Sequence, residues 1–281
     1  MTRAAALLAG LCALSSVLVA TARADDRQLR RFEDRMKPSS SPTRSSAPSV
    51  TPSCDSAADD CPNSIGSTFA QELFAPVAKA ILLAPFYGPA VMLDDHYDRA
   101  FAFSPYPYFG SRRGVMDPDG KSWTLRGGAS AEWGVRGTQA WREDVSLATS
   151  SRLGLDLAYT RFTQTLGDRS DSLGFLEVLP TFTFARGASS DWRLGAGYEA
   201  IDGRRHHDRF KLAYRLRYWF QAPLRFDLDL GASFGQGEEI YEWAPGLAVH
   251  WNRYEIKAGY RNLGIGDVHL QGPELSLAGW F

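Results

Sequence analysis

Arg209-Phe210-Lys211-Leu212-Ala213-Tyr214-Arg215-Leu216-Arg217-Tyr218-Trp219-Phe220 alternates without a break between two kinds of side chain. Successive side chains of a strand point to opposite faces. Phe210, Leu212, Tyr214, Leu216, Tyr218 and Phe220 therefore share one face, and Arg209, Lys211, Ala213, Arg215 and Arg217 share the other. Such a strand suits a soluble sandwich with its apolar face turned inward, or a membrane barrel with that face turned to lipid. Alternation by itself does not separate the two.

The same pattern recurs on both sides of this stretch. Leu224, Phe226, Leu228, Leu230 and Phe234 oppose Arg225, Asp227, Asp229 and Ser233, and Tyr254, Ile256, Ala258 and Tyr260 oppose Glu255, Lys257, Gly259 and Arg261. About ten strands result, at 123–134, 139–148, 151–163, 173–185, 190–201, 208–220, 224–235, 240–251, 254–264 and 273–281. The second is the weakest, marked only by Trp141, Val145 and Leu147, so the count ranges from about eight to twelve.

Aromatic residues sit near the strand ends (Trp123, Trp133, Trp192, Trp219, Trp243, Trp251), where the girdles of a membrane barrel lie. Turns at 149–150, 186–189, 221–223 and 252–253 are short; Gly167 to Asp171, Asp202 to His207, Gly235 to Glu239 and Gly264 to Pro273 read as longer loops on the opposite side. The expected fold class is all-β: a transmembrane antiparallel up-and-down β-barrel over residues 122–281.

Leu275, Leu277 and Phe281 share one face of the last strand. This ending resembles the assembly signal of bacterial outer-membrane proteins, and the region from Trp123 to Phe281 resembles small barrels of that class. The resemblance implies outer-membrane lipid and the barrel-assembly machinery as partners. It also implies a Gram-negative outer membrane, and an even strand count places both the N- and C-terminal ends of the chain on the periplasmic side.

Before the barrel, residues 1–24 read as a secretory signal peptide: basic Arg3, an apolar stretch from Ala4 to Ala20, and Ala22-Arg23-Ala24 as the cleavage pattern. Cys12 lies inside the apolar stretch after Leu11, which does not fit a lipoprotein signal. Cys54 and Cys61, with six residues between them, predict a disulfide in an oxidising compartment, with free thiols as the alternative.

Residues 25–65 carry a Ser/Pro-rich run from Pro38 to Ser49 and predict a disordered periplasmic linker. Residues 66–121 are expected to be a helical and extended periplasmic segment. Phe69, Leu73, Val77 and Ile81 predict a short amphipathic helix, which Pro85 and Pro89 interrupt before it becomes a straight membrane span. Whether the apolar stretch 73–93 contacts membrane or plugs the barrel stays open. Residues 25–110 are the expected contact region for envelope proteins.

The inward parity carries eleven bases and ten acids, including Arg215, Arg217, Asp227, Asp229, Glu255, Lys257 and Arg261. Charges in such balance within a narrow lumen are expected to pair, because an unpaired buried charge is costly. Barrels this small have interiors that side chains nearly fill. An occluded or narrow lumen follows. The near-neutral balance of 31 basic and 32 acidic residues gives no footing for nucleic acid.

Chemistry is sparse. Asp267-Val268-His269 resembles the Asp-x-His element of omptins, ten-stranded outer-membrane proteases, but no Asp-x-Asp pair stands in the outward loops, and Asp117-Pro118-Asp119, such a pair, precedes the first strand. A helix before a small barrel is similar to the layout of lipid A acyl-transfer enzymes, without a Ser/His/Asp set at one rim. His206 and His207 read as solvated, and Asp94-Asp95-His96 as a helix end. No nucleotide, metal or cofactor motif is present. The sequence thus reads as a non-enzymatic structural or interaction component of the envelope, with a rim-active enzyme or a small channel as alternatives.

Overall fold

The computed structural model describes residues 28–37, 88, 89, 91, 93, 95, 102–111, 114–117, 119–134, 137–166 and 169–281. The signal peptide, the Cys54–Cys61 pair and the helix expected from Phe69 to Ile81 lie outside the described residues.

Ten antiparallel strands close on themselves: β1 (Trp123–Trp133), β2 (Thr138–Thr149), β3 (Leu153–Leu166), β4 (Arg169–Arg186), β5 (Ser190–Asp202), β6 (His206–Trp219), β7 (Leu224–Gly235), β8 (Ile240–Trp251), β9 (Tyr254–Ile265) and β10 (Val268–Trp280). Each strand pairs with its sequence neighbours, and β1 meets β10 through Ala129 opposite Leu277 and Ala131 opposite Leu275. Closure leaves no unpaired edge, as a sheet in lipid requires. A soluble sandwich is excluded.

Two expectations about the ends of the strands are corrected. The stretch from Gly264 to Pro273 is not a long loop: β9 runs to Ile265 and β10 begins at Val268, with Val268 paired to Ile265 and Leu270 to Leu263. Likewise β4 begins at Arg169 and β6 at His206. The strands run past the charged lumen because inward positions at this end are apolar: Leu173, Phe175, Ile201, Ile240, Leu263, Ile265, Val268 and Leu270 form a cluster inside the barrel.

That cluster explains the larger correction. Residues 28–35, assigned from composition to a disordered periplasmic linker, form helix α1 (Gln28–Arg35), which enters the same cluster with Leu29, Phe32 and Met36. Spacings of three and four residues put these side chains on one stripe. Eight residues are too few for a stable helix in water, so docking holds α1 together. Phe32 meets Phe175 edge-on with ring centroids 6.1 Å apart, and Leu29 N–H donates to Gln164 Oε1 at 3.2 Å.

α1 therefore occupies the mouth opposite the β1 start and the β10 end. The expectation that the N-terminal arm stays on the side of Phe281 fails for residues 28–37, and the reason is the apolar inner wall there.

Candidate functional site

Residues 102–111, 114–117 and 119–121 cover the other mouth. Phe103 exchanges backbone hydrogen bonds with Lys121 (N to O 2.7 Å and 2.8 Å), which folds the segment back on itself. Phe103, Val115, Ala148, Trp219 and Trp280 bury together, with Tyr106 and Tyr108 against them. The return needs Gly114: its φ is +74°, and a Cβ there would lie 2.3 Å from the Ala188 carbonyl oxygen. Asp95 is buried beside this plug, where it accepts two hydrogen bonds from Arg152 (2.6 and 2.8 Å) and one from the Arg186 backbone N–H (2.7 Å). The run Asp94-Asp95-His96, expected as a helix end, thus contributes a buried carboxylate that anchors the plug.

Between the two apolar layers lies the charged lumen. Toward α1, Lys211 Nζ reaches Glu242 (2.8 Å), Glu199 (2.9 Å) and Glu177 (3.2 Å); Arg142 also binds Glu177 (2.8 Å) and Arg261 binds Glu242 (2.6 Å). Lys257 and Arg261 sit 3.7 and 3.6 Å from Glu274. In the middle, Arg215 bridges Asp156 (2.5 Å) and Asp229 (2.6 Å).

Toward Phe103, Arg225 takes Asp227 and Glu255, both at 2.7 Å, while Arg126 takes Glu255 at 2.8 Å and also Asp144. Charge-assisted bonds of this kind hold planar guanidinium groups in fixed orientations. Of the seven lumen residues named from sequence, six join carboxylate–base pairs. The seventh, Arg217, has no hydrogen bond or ion pair among the described residues and lies over the Trp280 ring at 5.7 Å.

The inward set read from sequence left out Arg186 and Asp191. Asp191 accepts from Arg193 at 2.5 Å and from Arg186 at 3.2 Å, all three fully buried. For Arg186 the cause is a register shift between Thr183 and Ala185, which moves the later part of β4 by one residue and turns Arg186 inward. Asp191 already stood on the inward parity with Arg193 and was legible.

Several of the rim groups weighed for catalysis form ion pairs. Asp267 pairs with Arg35, Asp171 with Arg30 at 2.6 Å, and His206 lies between Asp202 (2.5 Å) and Asp208 (2.9 Å). The His269 backbone carbonyl accepts from Gln28. Hydrogen bonds to Asp171 and to Glu238 hold the Arg30 and Arg35 guanidinium groups above their ordinary range, so both stay charged. Among the described residues no group of three or more His, Cys, Asp and Glu side chains has the geometry of a metal site.

Outside, polarity inverts. Leu157, Tyr159, Leu176, Phe182, Phe210, Leu212, Leu230, Leu247 and Ile256 are exposed on the outer wall, and Leu275, Leu277 and Phe281 join them at 46, 60 and 52% exposure. Exposed Trp123, Tyr218, Phe220, Trp251 and Tyr254 ring one end; Trp133, Tyr241 and Trp243 ring the other. An apolar wall of this extent has no place in water, and charges inside a closed sheet complete the inversion. The chain is an outer-membrane β-barrel.

No family model matches this outer-membrane barrel, and no curated protein does. Among solved structures it is similar to the β domain of the Bordetella autotransporter BrkA (10% identity, TM-score 0.35, 57% of this chain and 97% of that one). It is also similar to the translocator domain of the autotransporter NalP from Neisseria meningitidis (10%, TM-score 0.33, 59% and 90%). Neisserial surface protein A gives 13% identity and a TM-score of 0.27 over 57% of this chain and 96% of that one.

Proposed function

We propose that the outer-membrane barrel is an occluded, non-enzymatic structural component of the cell envelope, with an interaction role confined to its exposed parts. The observation that carries this reading is the three-layer interior: α1 in one mouth, the segment bearing Phe103 and Val115 in the other, and paired charges between them. A cavity of about 40 Å³ remains in the charged layer, room for only a few waters. Engagement of Asp171, Asp202, Asp208 and Asp267 in ion pairs favours a non-enzymatic rim over a proteolytic one.

The region first expected to hold envelope partners, residues 25–110, narrows under this reading. Residues 29, 32, 36 and 103 spend their side chains on the barrel itself. Partners, including the barrel-assembly machinery, would meet the remaining surface. Conductance of the purified full chain in planar bilayers tests the proposal. Heat-modifiable, folded protein that inserts without current steps is the expected result; resolved steps from the same preparation, or hydrolysis of added peptides that Asp267→Asn abolishes, would refute it.

A further inference from the structure

Among the described residues, one cation in the layer of the lumen next to Phe103 has no hydrogen bond or ion pair: Arg217. Arg217 is 5% exposed and projects inward from β6, where the ladder sets it opposite Asp191 on β5 and Asp227 on β7. Both aspartates are already committed. Asp191 is held by Arg186 and Arg193, and Asp227 accepts two hydrogen bonds from Arg225 at 2.7 and 2.9 Å. Glu255 accepts from Arg126, Arg225 and the Trp280 indole, and Asp144 from Arg126. Five arginines (126, 186, 193, 217, 225) thus face four carboxylates (144, 191, 227, 255). The balancing negative charge lies one layer further toward α1, where Asp156 and Asp229 both hold Arg215.

Arg217 lines the 40 Å³ cavity together with Arg126, Arg225 and Ser146; carboxylates line it too, among them Asp144, Asp156, Asp227 and Asp229, each engaged by an arginine. Ser146 Oγ accepts a hydrogen bond from Arg193 at 3.3 Å, which leaves the hydroxyl proton as a donor. On its other side Arg217 lies over the Trp280 ring, and the ring face satisfies none of its N–H donors. A guanidinium with five donors, a hydroxyl donor, a local surplus of positive charge and a small polar cavity meet at one place. A buried charge in that position is costly unless an opposite charge accompanies it.

We propose that this cavity is an anion site: a halide-sized inorganic anion, chloride in the cell, binds between Arg217 and Ser146. The cavity has room for only a few waters, which suits a small inorganic anion. The site does not depend on the lumen being closed to ions, so its failure and a failure in the conductance experiment are separate results.

The test uses the full chain in detergent, unfolded by heat in sodium bromide and in sodium gluconate at equal ionic strength. Bromide is expected to raise the wild-type midpoint by about 2–4 °C. Arg217→Gln is expected to lose that gain and, in gluconate, to be at least as stable as the wild type, since a charge without a partner has been removed. Equal wild-type midpoints in the two salts, an unchanged bromide gain in Arg217→Gln, or stabilisation by inorganic phosphate without bromide would overturn the assignment. Crystals of the wild type in bromide read the site without any variant. An anomalous peak within hydrogen-bond reach of the Arg217 guanidinium supports it, and no peak there overturns it.

Discussion

The indole N–H of Trp280 donates to Glu255 Oε2 at 2.8 Å, so the end of β10 is bonded to the carboxylate on which Arg126 and Arg225 converge. Closure of the barrel and completion of the charge network are therefore the same event at this point. Replacing Glu255 by Gln leaves two buried guanidinium groups short of a counter-charge. The expected loss is about 3–5 kcal/mol of unfolding free energy, the range for breaking a buried pair. Urea unfolding of protein folded into vesicles reads it; a change within about 1 kcal/mol would show that water compensates the arginines.

α1 should be held by its apolar stripe more than by its ion pairs. Phe32 is fully buried against Phe175, whereas Arg35, paired with Glu238 at 2.6 Å and with Asp267, is exposed. Phe32→Ala removes about 3–5 kcal/mol of packing, enough to release an eight-residue helix. Trypsin is expected to cut at Arg30, Arg31 or Arg35 much faster in this variant while the barrel keeps its heat-modifiable mobility. Arg35→Ala is expected to leave the cleavage rate near that of the wild type, because exposed pairs are screened by salt and solvent. Comparable acceleration in both variants would contradict the ranking.

The outer wall makes a prediction of opposite character. Leu275 lies near the middle of β10, half-exposed, opposite Ala131 and Ala258. Leu275→Arg is expected to cost about 2–4 kcal/mol in vesicles, as a charge on the lipid face near the midplane does. In a soluble barrel the same exposed substitution would be nearly neutral, so folding yield into vesicles separates the two environments.

Gly114 offers a backbone test of the plug near Phe103. Gly114→Ala combines φ +74° with a carbonyl oxygen 2.3 Å from the new Cβ. The strain is about 1–3 kcal/mol and falls on the plug, not on the sheet. Faster amide exchange at Phe103 and Ser104, with strand amides unchanged, is the expected outcome; uniform protection would show that residues 102–121 absorb the change.

Most strands were legible in the sequence because they carry a period of two, β2 least of all, and all ten overlap their expected ranges, with the largest departures at the starts of β4 and β10. The errors cluster at the α1 end. There, apolar residues such as Phe175, Ile201 and Leu263 occupy the inward parity, and periodicity alone reads them as strand ends next to loops. Leu29, Phe32 and Met36 carried a helical spacing, but three apolar residues beside a Ser/Pro-rich run do not announce a binding partner that lies more than a hundred positions away. Arg186 was hidden for a different reason: a single bulge inverts parity, and nothing in the local composition marks it.

The hydrogen bond from Gln28 to the His269 carbonyl spans 241 positions of chain. α1 rests on the turn between β9 and β10, a surface absent until the final hairpin has formed. Its docking is consequently a late event in folding, since contacts across so long a separation must wait for the intervening chain to be ordered. The helix behaves as a completion marker: protection of residues 28–36 from protease would date the moment when the last hairpin joins the sheet, and the same element would be the first to leave when the barrel is pulled open from that end.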